Sequence, residues 1–231
     1  MAEDSSWLFF GLCSYHDLQG FTSASDTKQS SGGAILIASQ NPILTFLQPM
    51  PSNASIVFDQ SILDAENLLA HFNKLNSKPP PPETEVLKRA GLIMAMTAWE
   101  TYVEDLVTEV TKTRLSSLAD SSIASFVETK LADEIKRLHN PNADKTIQLI
   151  RDYANVDLTD KWIWNNFDSK TVRDRLNQYL KLRGDVVHRS RTIEPGPPQA
   201  HPVTKDDLEK AIRFLRNLVD ATERALQPVL G

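Results

Sequence analysis

Arg183 and His188 stand with four residues between them in Leu182-Arg183-Gly184-Asp185-Val186-Val187-His188-Arg189. A histidine has an ordinary pKa of ~6.5 and can take the proton of a ribose 2′-hydroxyl near neutral pH. The freed oxygen then attacks the neighbouring phosphate, and a 5′-hydroxyl leaves. A guanidinium fork can bind two phosphate oxygens and hold the charge that builds on them, which an ammonium does less well. The plainer reading makes His188 a helix C-terminal residue facing the dipole and Arg183 a surface cation. With twelve Arg and five His among 231 residues, chance supplies roughly 0.8 arginines followed five to seven residues later by a histidine, so the types alone do not decide.

The pair falls at the end of a helical pattern over 170–187. On a regular helix five residues at ~100° each leave the two side chains ~140° apart. Two arrangements would bring them together. Gly184 is a weak helix former and allows a local irregularity; alternatively, a two-fold dimer sets the pair of one copy against that of the other. The surroundings suit a phosphate backbone. Between Lys161 and Arg191 eight Lys or Arg (161, 170, 173, 175, 181, 183, 189, 191) face three acids, so this window carries +5 in a chain of net charge −5 and the remainder carries −10. Such a patch steers a polyanion to one place, and Lys181, Arg189 and Arg191 are the expected RNA contacts beside the pair. An unevenly charged, solvated helix face would look the same.

The elements that hold the window are helical. Ile56, Leu63, Leu68, Leu69, Phe72 and Leu75 suggest one amphipathic face, which a stiff linker at Lys78-Pro79-Pro80-Pro81-Pro82 ends. A central helix follows, with apolar residues at three- and four-residue steps from Val86 to Val110. Further helical patterns occupy about 117–138, 143–154, 170–187 and 205–226, the last with Thr204 as N-cap and Asp207 three residues on. Residues 1–54 differ: a Ser/Thr/Gly/Asp-rich stretch and two short apolar runs split by Asn41-Pro42 read as a hairpin or a partly ordered extension. The expected organisation is therefore an N-terminal extension (1–54) and an all-α helical domain (55–231), with no repeat.

Two segments carry a likeness that spacing cannot show. Thr97-Ala98-Trp99-Glu100-Thr101-Tyr102-Val103-Glu104-Asp105-Leu106 on the central helix, followed by the Arg183–His188 segment, resembles the HEPN superfamily and most closely its RiboL-PSP-HEPN branch, over about residues 55–225. The resemblance implies an all-α HEPN-like bundle, commonly homodimeric. It implies metal-independent endoribonuclease activity that leaves 2′,3′-cyclic phosphate ends, in a toxin–antitoxin or phage-defence setting with an antitoxin partner. It makes Arg183 and His188 the catalytic pair. Gly184 stands where the family often has a polar residue, and Asp185 follows one step later; both are supporting positions. The alternative is an inactive HEPN module that binds RNA or a partner protein, and a plain helical scaffold is the third reading.

Glu100 either orients Arg183 across the bundle or belongs, with Glu104, Asp105 and Glu109, to a solvated or Lys/Arg-paired face, the commoner fate of helix acids. No histidine accompanies these acids at ligand spacing, so no metal and no cofactor is expected. Trp99 and Tyr102 read as core packing, and so do Trp162 and Trp164, with base stacking the alternative for all four. His16, His71, His139 and His201 lack partners in the sequence. The single cysteine, Cys13, rules out an internal disulfide. The run from Trp7 to Cys13 follows acids rather than a basic segment and reads poorly as a signal peptide, and no run reaches the ~20 apolar residues of a membrane span. A cytoplasmic protein is expected.

Overall fold

The longest apolar pattern becomes the axis of the molecule. In the computed structural model, which describes residues 50–77, 81–188 and 203–230, α2 spans Glu85–Leu115 and buries Trp99, Tyr102, Leu106 and Val110. Around it pack α1 (Asn53–Leu75), α3 (Ser122–Ile135), α4 (Ala143–Ala154), α5 (Ser169–His188) and α6 (Lys205–Leu230). The described residues contain no strand, only an isolated bridge between Trp164 and Phe167. The bundle is all-α, as the helical periodicity and the resemblance predict. All of these residues fall within one compact unit, Leu47–Gly231. The expected hairpin or loose extension lies almost wholly outside the described residues, as do Cys13, His16, most of the proline linker and His201.

Side chains at the helix ends explain the boundaries. Ser52 accepts from the Ser55 N–H, Ser121 from Ala124 and Asn142 from Lys145, each satisfying a donor that a helix N-terminus leaves open. Asn155 ends α4 in the left-handed region at φ 54°, a conformation asparagine tolerates. Thr204 and Asp207 form the expected reciprocal cap: the Asp207 N–H donates to the Thr204 hydroxyl at 3.1 Å, and the Thr204 N–H and hydroxyl donate back to the carboxylate at 3.0 and 2.6 Å. The Thr204 bonds hold the Asp207 carboxyl below its ordinary pKa, against a smaller opposing effect of burial.

Two expectations need correction. The face of α1 is not the one its large residues suggest: Ile56, Leu63 and Leu75 are exposed, whereas Ala54, Phe58, Ile62, Ala65 and Phe72 are buried. Alanines at the contact let α1 lie close against α2, and packing overrides the count of leucines. The pattern over 117–138 is also not one helix. Ser116–Leu118 is a 3-10 turn and Asp120 sits at φ 67°, so α3 begins only at Ser122.

Two carboxylates, one of them buried, lock α1 in place. Glu223 of α6 accepts from the Ser52 N–H at 3.0 Å, the Ser52 hydroxyl at 2.8 Å and the Tyr102 hydroxyl at 2.8 Å. Burial, and next the Glu223 charge, push the Tyr102 phenol well above its ordinary pKa. Glu109 accepts from the backbone N–H groups of Asn53 and Ala54, both at 3.1 Å, so an anion faces the positive end of α1. On the outer side Arg216 bridges Asp59 and Glu66 at 2.9 and 2.8 Å.

Candidate functional site

Arg183 enters the site from α5 and is met by two other elements. Its guanidinium donates from Nη1 to the Asn140 side-chain oxygen, and Nη2 lies 3.8 Å from Glu100 Oε2 on α2. Glu100 Oε1 in turn accepts from the Asn140 backbone N–H at 2.9 Å. The arginine and glutamate side chains keep exposures of only 23% and 21%, so the charge is partly withdrawn from water yet still reachable. Arg183 Nε is buried without a partner among the described residues, so the root of the guanidinium lies inside the packing while its Nη1 and Nη2 meet Asn140 and Glu100.

The loop that delivers Asn140 is fixed by local chemistry. Asn140 adopts φ 53°, and Trp99, one residue before Glu100, donates from its indole to the Pro141 carbonyl at 3.1 Å. Trp99 and Tyr102 are fully buried, so they act as core and align Glu100 by fixing the helix beneath it. The tryptophan-glutamate-x-tyrosine run thus ties α2 to the 139–142 loop, and that loop to Arg183. Asn140 carries no periodic signal. Asparagine before Pro141, a turn-forming pair, was the only hint of it.

The four acids from Glu100 to Glu109 do not act together. Glu100 turns to Arg183 and Glu109 to the start of α1. Glu104 and Asp105 have raised pKa values, each chiefly through burial and then through a neighbouring acid: Glu100 for Glu104, Glu109 for Asp105. Among the described residues no three His, Cys, Asp or Glu side chains converge as a metal site.

His188 is the last residue of α5, which is α-helical from Ser169 through Gly184 to His188. The irregularity that Gly184 would permit is therefore not present. On this continuous helix the two positions lie ~140° apart, and they do not share a face within one chain. A Cβ built on Gly184 meets nothing within 4 Å among the described residues, and Asp185 is half-buried beside it. Lys181 is exposed on the same helix; Arg189 and Arg191 lie outside the described residues. Elsewhere in the basic window Lys170 pairs with Asp174 at 2.6 Å. Trp162 is buried and donates to the Thr222 hydroxyl at 3.0 Å, whereas Trp164 stays partly exposed.

The chain matches the family model RiboL-PSP-HEPN over residues 60–227. No curated protein and no solved structure matches it. No helix among the described residues is long and apolar enough to cross a membrane.

Proposed function

The chain belongs to the RiboL-PSP-HEPN family, and on that premise we propose that it is a metal-independent endoribonuclease whose cleft two copies of the chain complete. HEPN membership suggests a nuclease-like or RNA-binding module. His188 removes the 2′-hydroxyl proton, the 2′-oxygen attacks the adjacent phosphorus, and the 5′-oxygen leaves with a proton, giving a 2′,3′-cyclic phosphate and a 5′-hydroxyl. Arg183 binds the phosphate oxygens as their charge grows. Lys181, Arg189 and Arg191 hold the flanking phosphates, and Asp185 supports the pair. Such an activity suits a toxin of a toxin–antitoxin or phage-defence system, with an antitoxin as its partner.

The observation that carries this reading is the fixation of Arg183 by Asn140 and Glu100 with a fifth of its side chain still open to solvent. A charge positioned in advance stabilises a transition state without reorganising. The test is cleavage of RNA in chelator, with Arg183→Ala and His188→Ala each expected to abolish it. Mixing the two inactive variants should restore roughly a quarter of the wild-type rate if each cleft takes its arginine from one copy and its histidine from the other. Cleavage retained in both single variants refutes the proposal.

Glu100 also favours a second reading. An arginine already facing a carboxylate at 3.8 Å is equally suited to tie α5 to α2, in a module that binds RNA or a partner protein without cutting it. A wild-type chain that binds RNA and yields no cyclic phosphate ends selects that reading.

A further inference from the structure

A separate cluster of rings and cations lies toward the start of α5. Trp164-Asn165-Asn166-Phe167 closes as a tight hairpin: the Phe167 N–H donates to the Trp164 carbonyl at 2.8 Å and the Trp164 N–H donates back at 3.2 Å. Asn165 takes φ 45°, which asparagine accepts in such a turn. The turn stacks the two rings on one another, with centroids 5.6 Å apart and planes 26° from parallel. Both stay partly exposed. They lean on Phe214 of α6 at 5.6 and 6.2 Å, and Phe214 meets Tyr179 of α5 at 5.4 Å.

These rings line a cleft of about 310 Å³, with Arg175, Lys210 and Arg213 at its rim. Lys210 pairs with Asp206 at 2.6 Å. Arg175 and Arg213 are exposed and form no ion pair among the described residues. Two unpaired guanidiniums from different helices thus border one aromatic floor. Partly exposed aromatic faces select a flat ring, and the two cations select an anion attached to it. The volume lies at the small end of ligand pockets, enough for one such unit.

We propose that this cleft binds one nucleotide unit, its base stacked on Trp164 and Phe167 and its phosphate held by Arg175 and Arg213. Arg175 precedes Arg183 by two turns of α5, ~12 Å along the axis. A strand crossing Arg183 can therefore place a second nucleotide here. That use of the cleft rests on the ribonuclease reading, whereas the nucleotide chemistry does not.

The test uses the full chain and two probes: a fluorescein-labelled twelve-nucleotide 2′-O-methyl RNA, which lacks the attacking hydroxyl, and adenosine monophosphate. Trp164→Ala should weaken binding by about 5-fold to 150-fold, as loss of one stacked base does, and Trp164→Phe should restore most of it. The Arg175→Ala/Arg213→Ala variant changes only exposed side chains and should flatten the salt dependence of strand binding by roughly 0.7 in log–log slope, the share of one phosphate. Saturation by the monophosphate that the variants lose identifies a free nucleotide; effects on the oligonucleotide alone identify a strand; both support the proposal. Unchanged affinity for both probes in the double arginine variant overturns it. A chain that binds through the cleft but never cleaves ordinary RNA keeps this inference and loses the ribonuclease. Cleavage together with unaltered probe binding does the reverse.

Discussion

Gly184→Ala should separate the needs of the lone chain from those of its assembly. A glycine within α5 costs the helix about 1 kcal/mol relative to alanine, and the lone chain gains nothing visible from it, because a Cβ there meets no atom within 4 Å among the described residues. Alanine should therefore stabilise the monomer by roughly 0.4–1 kcal/mol, a rise in Tm of about 1–4 °C at this chain length. The assembly should respond in the opposite sense if a second α5 lies against that backbone. Overpacking by one methyl costs about 1–3 kcal/mol, and two-fold symmetry counts it twice. A loss of about 2 kcal/mol is already a thirtyfold weaker dimer. Calorimetry at low concentration, sedimentation across a dilution series and cleavage at matched concentrations read the three quantities. Higher Tm, weaker dimer and cleavage that returns as protein is added are the expected set. Higher Tm with unchanged dimerisation and cleavage would show that nothing packs at Gly184, and the two-copy cleft would fall with it.

Other consequences can be measured directly. Glu100→Gln removes the charge facing Arg183 but keeps an oxygen for the Asn140 N–H; cleavage should fall by about tenfold to a hundredfold, the scale of a small misplacement, while the urea midpoint barely moves. Glu223→Ala strands three donors, from Ser52 and Tyr102, and should cost at least about 3 kcal/mol in urea unfolding; a loss under 1 kcal/mol would mean that water replaces the carboxylate. Thr204→Ala should cost about 1 kcal/mol at neutral pH. Because the folded Asp207 carboxyl has a lowered pKa, its contribution is complete above the unfolded value near 4 and disappears as pH falls through the lower folded value. The wild-type and Thr204→Ala stability curves should therefore converge in acid, and curves that stay parallel down to pH 2 would contradict the capping account.

Much of the fold can be read from the sequence because its signals are local. Thr204 announces α6, and the apolar steps of α2 need no partner to be recognised. What escapes the sequence depends on a neighbour. Leucines draw attention on α1, yet its contact stripe runs through Ala54 and Ala65, whose value lies in how near α2 can come. At the site, Arg183 and Glu100 can be chosen by type and by family likeness, but their meeting at 3.8 Å depends on how α5 packs on α2. Asn140 could not be found that way, since it works through a loop conformation and one side-chain oxygen. The Trp164–Phe167 hairpin was equally hidden: two aromatic residues around Asn-Asn look like core until the turn sets both rings at the surface.

The bonds joining Ser52 to Glu223 span 171 positions, and this bears on when the protein can first exist. During synthesis α1 and α2 emerge first and can pair, but the carboxylate that anchors the start of α1 and the Tyr102 hydroxyl is made 171 positions after Ser52. Until α6 leaves the ribosome the nascent bundle carries an unclosed end with apolar surface still uncovered. A chain stopped a few residues short of Glu223 would keep Arg183 and His188 in full, yet lack the group that closes the bundle around them. Completion of α6, rather than synthesis of the proposed catalytic pair, would then set the moment at which the bundle becomes competent.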